Sequence, residues 1–251
     1  MANGHAQILR LHSLSSAETQ IPNWISQAKT YVSALCSQGK LMDALPTIHV
    51  MNQQGFRLDS DIYGALLHAC THIKIKALPQ AQQVHTHILI RGFEQDVFLA
   101  TKLVNFYAAC GNRGNACLVF DKLKKRNVFL WNAMIRGYAW NGPCDEAINL
   151  YYQMQNEGTQ PDGYTYPFVL KACAGLSALQ EGKEIHYQII RSGRECDVFV
   201  GTALIDVYAK CESIEDARQV FDKIFERNVV SWNAMIAGYA QDVHSEHILQ
   251  S

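Results

Sequence analysis

The sequence predicts an all-α solenoid, a row of stacked helix hairpins, and three observations carry the prediction. A long segment recurs at a fixed offset. Each recurrence divides into three shorter units. Within a unit, apolar residues fall at helical spacing on either side of a Gly, Pro or Asn break.

Residues 97–127 align without gaps on residues 198–228, at an offset of 101. Identical pairs include Val97/Val198, Phe98/Phe199, Thr101/Thr202, Leu103/Leu204, Tyr107/Tyr208, Cys110/Cys211 and Ala116/Ala217. The same offset joins Val128-Phe-Leu-Trp-Asn-Ala-Met-Ile-Arg-Gly-Tyr-Ala to Val229-Val-Ser-Trp-Asn-Ala-Met-Ile-Ala-Gly-Tyr-Ala. Residues 60–96 match 163–197 through Leu67-His-Ala-Cys and Leu170-Lys-Ala-Cys, and residues 25–59 match 128–162. The array therefore reads 25–59, 60–96, 97–127, 128–162, 163–197, 198–228 and a partial seventh unit, 229–241, with full lengths of 35, 37, 31, 35, 35 and 31 residues. Such a period marks a repeat architecture.

Each element follows from local pattern. In residues 128–140, Trp131, Met134, Ile135 and Tyr138 form one apolar stripe at i, i+3, i+4, i+7. Asn141-Gly142-Pro143 ends that helix, and Pro143 suits the first turn of the next. A second helix over 145–157 turns Ala147, Leu150, Tyr151 and Met154 inward. In the 31-residue unit, Ser213-Ile-Glu-Asp216 resembles a capping box opening the second helix. A lone hairpin cannot bury its apolar face, so the hairpins must stack. About thirteen or fourteen helices and no strands are expected.

Composition limits function. Apolar residues make up 48% and charged residues 18%, enough to build a core. The net charge of −1 excludes a nucleic-acid binder working by bulk charge, though not one working by local groups. No uncharged apolar run approaches the ~18 residues of a membrane span. The eight cysteines include no CxxC pair, which argues against a zinc ribbon. Cys70 and Cys173, and likewise Cys110 and Cys211, sit at repeat-equivalent positions, so buried thiols are expected.

The motifs carry a resemblance. Val229-Val-Ser-Trp-Asn-Ala-Met-Ile-Ala-Gly-Tyr-Ala-Gln, Gly158-Thr-Gln-Pro-Asp162, Val169-Leu-Lys-Ala-Cys-Ala and Thr202-Ala-Leu-Ile-Asp-Val-Tyr-Ala-Lys-Cys resemble plant pentatricopeptide repeat (PPR) proteins. The ordered unit lengths resemble the subclass of alternating P, L and S motifs, without its C-terminal E and DYW domains. The resemblance implies a right-handed superhelix binding single-stranded RNA in a chloroplast or mitochondrion. One motif reads one base through its fifth and last residues, while the second residue packs on the base face.

Carried over residue by residue, the resemblance implies base reading by Thr101 with Asn127 (adenine), Asn132 with Asp162 (uracil), Pro167 with Asp197 (weak preference) and Thr202 with Asn228 (adenine). Asn233 opens the partial seventh motif. Stacking falls to Phe98, Phe129, Tyr164, Phe199 and Val230. The first two units depart from the pattern: Lys29 with Asp59 and Gly64 with Asp96 are unusual pairs, and Ser26 and Asp61 hold the stacking positions. These units read as caps.

Other candidates fall to plainer readings. His68 and His72 are at i, i+4, but Lys171 and Gly175 replace them in the later copy, so no metal is expected. His85 and His186 are repeat-equivalent and read as packing residues. Lys122-Leu-Lys-Lys-Arg126 reads as a solvated turn or a phosphate contact. His244-Ser-Glu246 is half of a zinc deaminase signature with no cysteine after Cys211 to complete it. No nucleophile triad or phosphate loop occurs, so neither catalysis nor a cofactor is expected. Residues 1–24, with Arg10, Ser13, Ser15 and Ser16 and one acidic residue, Glu18, suit a transit peptide or a tail. Residues 242–251 match no repeat. The expected function is sequence-specific RNA binding in support of RNA editing or transcript processing, with editing or processing factors acting in trans. The alternatives are a protein-binding solenoid scaffold and a truncated product.

Overall fold

The computed structural model describes residues 21–53 and 58–249; residues 1–20, which include most of the candidate transit peptide, lie outside it. Thirteen α-helices are present among the described residues, with no strand. They are α1 (Ile21–Ser37), α2 (Leu41–Gln53), α3 (Ser60–Ile73), α4 (Leu78–Ile90), α5 (Val97–Ala109), α6 (Arg113–Lys122), α7 (Val128–Asn141), α8 (Cys144–Asn156), α9 (Thr165–Leu176), α10 (Leu179–Arg191), α11 (Val198–Lys210), α12 (Ile214–Lys223) and α13 (Val229–Leu249). A 3₁₀ turn, Lys74–Ala77, takes up the extra length of the 37-residue unit. None of these helices is long and apolar enough to cross a membrane.

The chain divides into two compact bodies, Met1–Lys125 and Arg126–Ser251. In the N-terminal body α1 packs on α2 and α3, α3 on α4 and α5, and α5 on α6. In the C-terminal body α7 packs on α8 and α9, α9 on α10 and α11, and α11 on α12 and α13. Each body is thus an α-solenoid: successive first helices pack on one another and each carries its own second helix outside. The stripes are buried as expected except at Tyr138, which is half-buried. Trp131, Met134 and Ile135 face inward, as do Ala147, Leu150, Tyr151 and Met154. Burying a large side chain of this kind contributes roughly 1.5–3 kcal/mol.

The last residue of each unit does structural work that the motif alone does not announce. Its side-chain oxygen accepts a backbone N–H at the start of the next first helix. Asp59 takes Ile62 N (3.2 Å), Asp96 takes Leu99 N (3.1 Å) and Asn127 takes Leu130 N (3.0 Å). Asp162 takes Thr165 N (2.9 Å), Asp197 takes Phe199 N (2.8 Å) and Asn228 takes Ser231 N (2.9 Å). A helix start leaves its first N–H groups without helical partners, and Asp or Asn is the residue that satisfies them.

Three local readings are corrected. Helix α12 does open after Ser213, but the Ser213 hydroxyl donates to the Asp216 carboxylate (2.7 Å) and accepts no backbone N–H. Lys183 also holds that carboxylate (2.9 Å), and Asp is a methylene shorter than the Glu of a true capping box. Pro143 stands just before α8 and not in its first turn. Helix α13 runs on to Leu249, because Asp242-Val243-His244 replaces the Asn141-Gly142-Pro143 break. The side chains of His244 and Glu246 lie outside the described residues.

Cys36, Cys70 and Cys173 are buried, and burial pushes the thiols of Cys70 and Cys173 up to about 12. Cys110, Cys117, Cys144 and Cys211 are half-buried and Cys196 is exposed, so the expectation of buried thiols holds for Cys36, Cys70 and Cys173, on the first helices α1, α3 and α9, and not for the other five. His85 Nδ1 lies 3.0 Å from Tyr107 Oη, and His186 Nδ1 lies 2.8 Å from Tyr208 Oη, the same contact one long period apart. His68 and His72 touch at 3.2 Å through their Nε2 atoms, and no group of three potential metal ligands occurs among the described residues. In the basic run, Leu123 is buried while Lys122, Lys124 and Lys125 are exposed; Arg126 pairs with Glu157 (3.0 Å).

Candidate nucleic-acid interface

The second residue of each unit lies two positions past the capping residue, where the helix start turns it out of the stack. All five residues at this position from the third unit onward are exposed: Phe98, Phe129, Tyr164, Phe199 and Val230. Their neighbours Leu99, Leu130, Thr165 and Val200 are fully buried. Recurrence of a large, exposed apolar side chain at the same place in five units makes it a candidate contact surface.

In the C-terminal body two of the five border a groove of ≈ 570 Å³, while Phe129 and Tyr164 are not among its lining residues. Phe199 and Val230 flank it, and Thr202, Asn228, Pro167 and Asn233 line it. Trp140, Lys171 and Asp206 also face it, and the repeat reading had not singled them out. The signal for two of them was available: Lys171 and Asp206 lie one helical turn beyond Pro167 and Thr202, on the same face. Trp140 closes α7 and meets Phe168 edge-on at 5.7 Å. Asp206 accepts from Lys210 (2.8 Å), which leaves Lys171 as the groove's cationic side chain.

The hydrogen-bonding state of the Thr202/Asn228 pair follows from the backbone. Thr202 Oγ1 donates to Val198 O (2.7 Å), so its hydrogen is committed and its lone pairs face outward. Asn228 Oδ1 is committed to Ser231 N, because only the oxygen of an amide accepts from an N–H. Asn228 Nδ2 therefore remains as a donor. One acceptor beside one donor can meet an amino group beside a ring nitrogen, the edge that adenine and cytosine share. Thr101 Oγ1 is held in the same way by Val97 O (2.7 Å), and Asn127 caps α7; Thr101 belongs to the N-terminal body and Asn127 to the C-terminal one.

Asn132 and Asp162 meet directly, Asn132 Nδ2 donating to Asp162 Oδ1 (3.0 Å). Thr165 Oγ1 donates to Asn132 Oδ1 (2.7 Å), and Asn132 is 7% exposed. Burial pushes the Asp162 carboxyl up, but Thr165 N–H, the Asn132 amide and the Thr165 hydroxyl outweigh it and hold the group below the usual range. The bonds from Asn132 Nδ2, Tyr164 N, Thr165 N and Thr165 Oγ1 all converge on Asp162 Oδ1. Pro167 in the first turn of α9 brings no N–H and no polar side-chain atom. Asp197 caps α11 through Oδ1.

The first two units are occupied from within. Lys29 Nζ bonds Asp59 Oδ2, joining the fifth and last residues of one unit in an ion pair. At Gly64 a Cβ would stand 2.6 Å from Phe98 Cε1, so the Phe98 ring fills the space that a fifth-residue side chain would take. Asp96 Oδ2 accepts from Ser60 (2.6 Å).

Comparison with known proteins finds the same repeats and the same fold. Residues 126–175 match the family model described as PPR repeat family, and residues 202–229 and 230–248 match the PPR repeat. From Arabidopsis thaliana, the pentatricopeptide repeat-containing protein CRR2, chloroplastic, is 40% identical over 215 residues, covering 84% of this chain and 32% of that protein. A putative pentatricopeptide repeat-containing protein from the same plant, At3g13770, mitochondrial, is 36% identical over 230 residues, covering 91% of this chain and 35% of that one. The chain spans about a third of the length of these two relatives. Among solved structures, PPR10 in complex with an 18-nt psaJ RNA element matches with a TM-score of 0.57 at 20% identity, over 94% of this chain and 34% of that one. The fold is shared, and the chain carries pentatricopeptide repeats.

Proposed function

We propose that this pentatricopeptide repeat protein binds single-stranded RNA in a chloroplast or mitochondrion, one base per motif, without catalysing a reaction on it. The observation that carries the proposal is the groove at α9, α11 and α13. It sets two exposed apolar side chains, Phe199 and Val230, on either side of a donor–acceptor pair, Thr202 and Asn228. Stacking between such side chains contributes roughly 1–3 kcal/mol per base and is indifferent to sequence. The polar pair then supplies discrimination. An interface of this kind needs no large positive charge, which fits a net charge of −1.

In the C-terminal body Asn132 and Asp162 are held together by the Asn132 amide, and the family resemblance gives this pair a preference for uracil. Pro167/Asp197 discriminates little, and Thr202/Asn228 suits adenine. With the RNA 5′ end towards the N-terminus, as the family resemblance implies, these motifs read U-N-A, and Thr101/Asn127 extends the target to A-U-N-A. The unit lengths 35, 37, 31, 35, 35 and 31 support the P, L, S subclass, and with it a role in RNA editing or transcript processing alongside factors acting in trans.

The test is fluorescence anisotropy with labelled RNA. Single-stranded RNA containing A-U-N-A is expected to bind at least tenfold tighter, about 1.4 kcal/mol, than the same strand in a duplex or with the target permuted. Equal binding of duplex and permuted strand would reject the proposal. A groove that instead held a peptide, the scaffold alternative, would show no RNA preference of either kind.

A further inference from the structure

Units 60–96 and 163–197 are repeat partners, and they differ at the fifth residue. The first has Gly64 there and the second has Pro167. An offset of 101 pairs Phe98 with Phe199, the second residues of the units that follow. Phe98 lays its ring edge against Gly64: a Cβ on that glycine would stand 2.6 Å from Phe98 Cε1 and 2.9 Å from Cζ. Carbon atoms pack at about 3.5–4.0 Å, so only glycine leaves the ring this room. Pro167 carries a ring of its own, and Phe199 stands 72% exposed at the groove, against 49% for Phe98.

Three further features close the unit around that ring. Lys102, one helical turn along α5, holds Nζ 5.5 Å from the Phe98 ring centroid, a cation–π distance. Asp96, the last residue of the unit, has a donor on each carboxylate oxygen: Oδ1 accepts from Leu99 N (3.1 Å) and Oδ2 from the Ser60 hydroxyl (2.6 Å). Asp61, at the stacking position, has no ring face to offer a base. A single-stranded base is held by stacking on its faces and by hydrogen bonds at its edge. Unit 60–96 offers no stacking ring, no fifth side chain, and a last residue already engaged on both oxygens.

We propose that Phe98 is a plug that interrupts the base-reading track, so that the nucleotide opposite unit 60–96 is passed over unread. This rests on the single-stranded RNA reading proposed above, in whose register the plugged position is the nucleotide immediately 5′ of A-U-N-A. The identity of that nucleotide carries no information for this chain. Phe98 thus sits at a stacking position by sequence but limits specificity by geometry: its ring takes the space of a base edge, and Lys102 holds it there.

The test is fluorescence anisotropy of the whole chain with labelled strands X-A-U-N-A, where X is each base in turn. The wild-type chain should bind all of them alike, within about twofold, because contact without edge readout is indifferent to sequence. The double variant Gly64→Asn, Phe98→Ala empties the space and sets beside Asp96 the amide that Asn132 sets beside Asp162. By analogy with groove readout it should favour uracil at X about tenfold. Gly64→Asn alone leaves the ring competing for the space and should show a smaller preference. Circular dichroism melts report whether each variant is folded; if the double variant is not, the wild-type comparison decides. Discrimination at X by the wild type would overturn the proposal, as would a folded double variant indifferent to uracil or a single variant that equals the double. A wild-type chain that binds A-U-N-A no tighter than a permuted strand would instead reject the RNA reading beneath it, a separate result from the same titrations.

Discussion

The N-terminal and C-terminal bodies are built from the same repeat, yet the first two units close their fifth and last residues from within, whereas Thr202 and Asn228 of the C-terminal body stay open between flanking side chains. In the first, Lys29 and Asp59 neutralise each other, and the Phe98 ring occupies the space above Gly64. In the second, Thr202 and Asn228 spend their inward hydrogen-bonding capacity on backbone and keep the outward half. The helix scaffold is indifferent to this choice. Caps, stripes and hairpin stacking are the same in both bodies, so a unit can be switched between filler and reader by one or two exposed side chains.

The largest expected effect tests the stacking positions of the two bodies against each other. Phe199→Ala should weaken binding of A-U-N-A RNA by roughly 1–3 kcal/mol, the contribution of one stacked base. Phe98→Ala should weaken it much less, because the Phe98 ring already packs over Gly64; its loss should appear in the melting temperature. Anisotropy and thermal melts on the same two variants decide the matter. Equal affinity losses would remove the distinction between the bodies.

Next in size is a change of specificity. Asn228→Asp keeps the oxygen that caps α13 but replaces the Nδ2 donor by an acceptor. The site should then prefer guanine, whose N1–H and amino group both donate. By analogy with groove readout, the preference between A-U-N-A and A-U-N-G strands should change by about 1–3 kcal/mol. The parallel Asn127→Asp should move the first base towards guanine in the same way. Wild-type and variant proteins that rank the two strands alike would show that Asn228 acts only as a cap.

Much of this was legible in the sequence, for a physical reason. Helix periodicity and unit boundaries depend on residues i to i+7, which the chain displays directly. Exposure of Phe98, Phe129, Tyr164, Phe199 and Val230 likewise follows from their place beside a cap. What was hidden depends on neighbours across units. Gly64 gave no sign that Phe98, thirty-four residues later, would fill its space. Asn132 gave no sign that Thr165 would bury it. The closing Asp and Asn residues carry two roles at once, cap and candidate reader, and a pattern at one position cannot separate them. Ser213-Ile-Glu-Asp216 misled because Lys183, on a different helix, competes for the carboxylate.

A smaller effect concerns backbone at equivalent turns. Gly111 has φ of 71° and its repeat partner Glu212 has φ of 57°. A side chain in the left-handed region costs roughly 1 kcal/mol, which glycine avoids. Gly111→Ala should therefore destabilise the N-terminal body by about 1 kcal/mol. Glu212→Gly should leave the C-terminal body unchanged or raise its stability by a few tenths, relief of strain being offset by a more flexible unfolded chain. Urea titrations that showed both variants equally destabilised would mean that Glu212 makes a compensating contact.

The smallest expected effect is a pH slope, and it too differs between the bodies. His85 and His87 in the N-terminal body, and His186 in the C-terminal one, are held below the ordinary imidazole pKa, in each case chiefly by burial. Lys122 adds to this at His85, Arg91 at His87 and Lys223 at His186. A histidine with a lowered folded pKa takes up its proton more readily when unfolded. Stability is therefore full well above the unfolded value of ~6.5 and falls as the pH drops through it, by at most about 1.4 kcal/mol per pH unit for each group. Asp59, Asp162 and Asp216 shift downward as well, so their contribution is present above the unfolded carboxylate pKa of ~3.9 and is lost only below it. Between pH 7 and pH 5 the slope thus belongs to the histidines. The double variant His85→Gln, His87→Gln should flatten the urea midpoint against pH more than His186→Gln does. Equal flattening, or none, would show that the Tyr107 and Tyr208 contacts accommodate the charged ring, and that burial of these side chains does not set their titration.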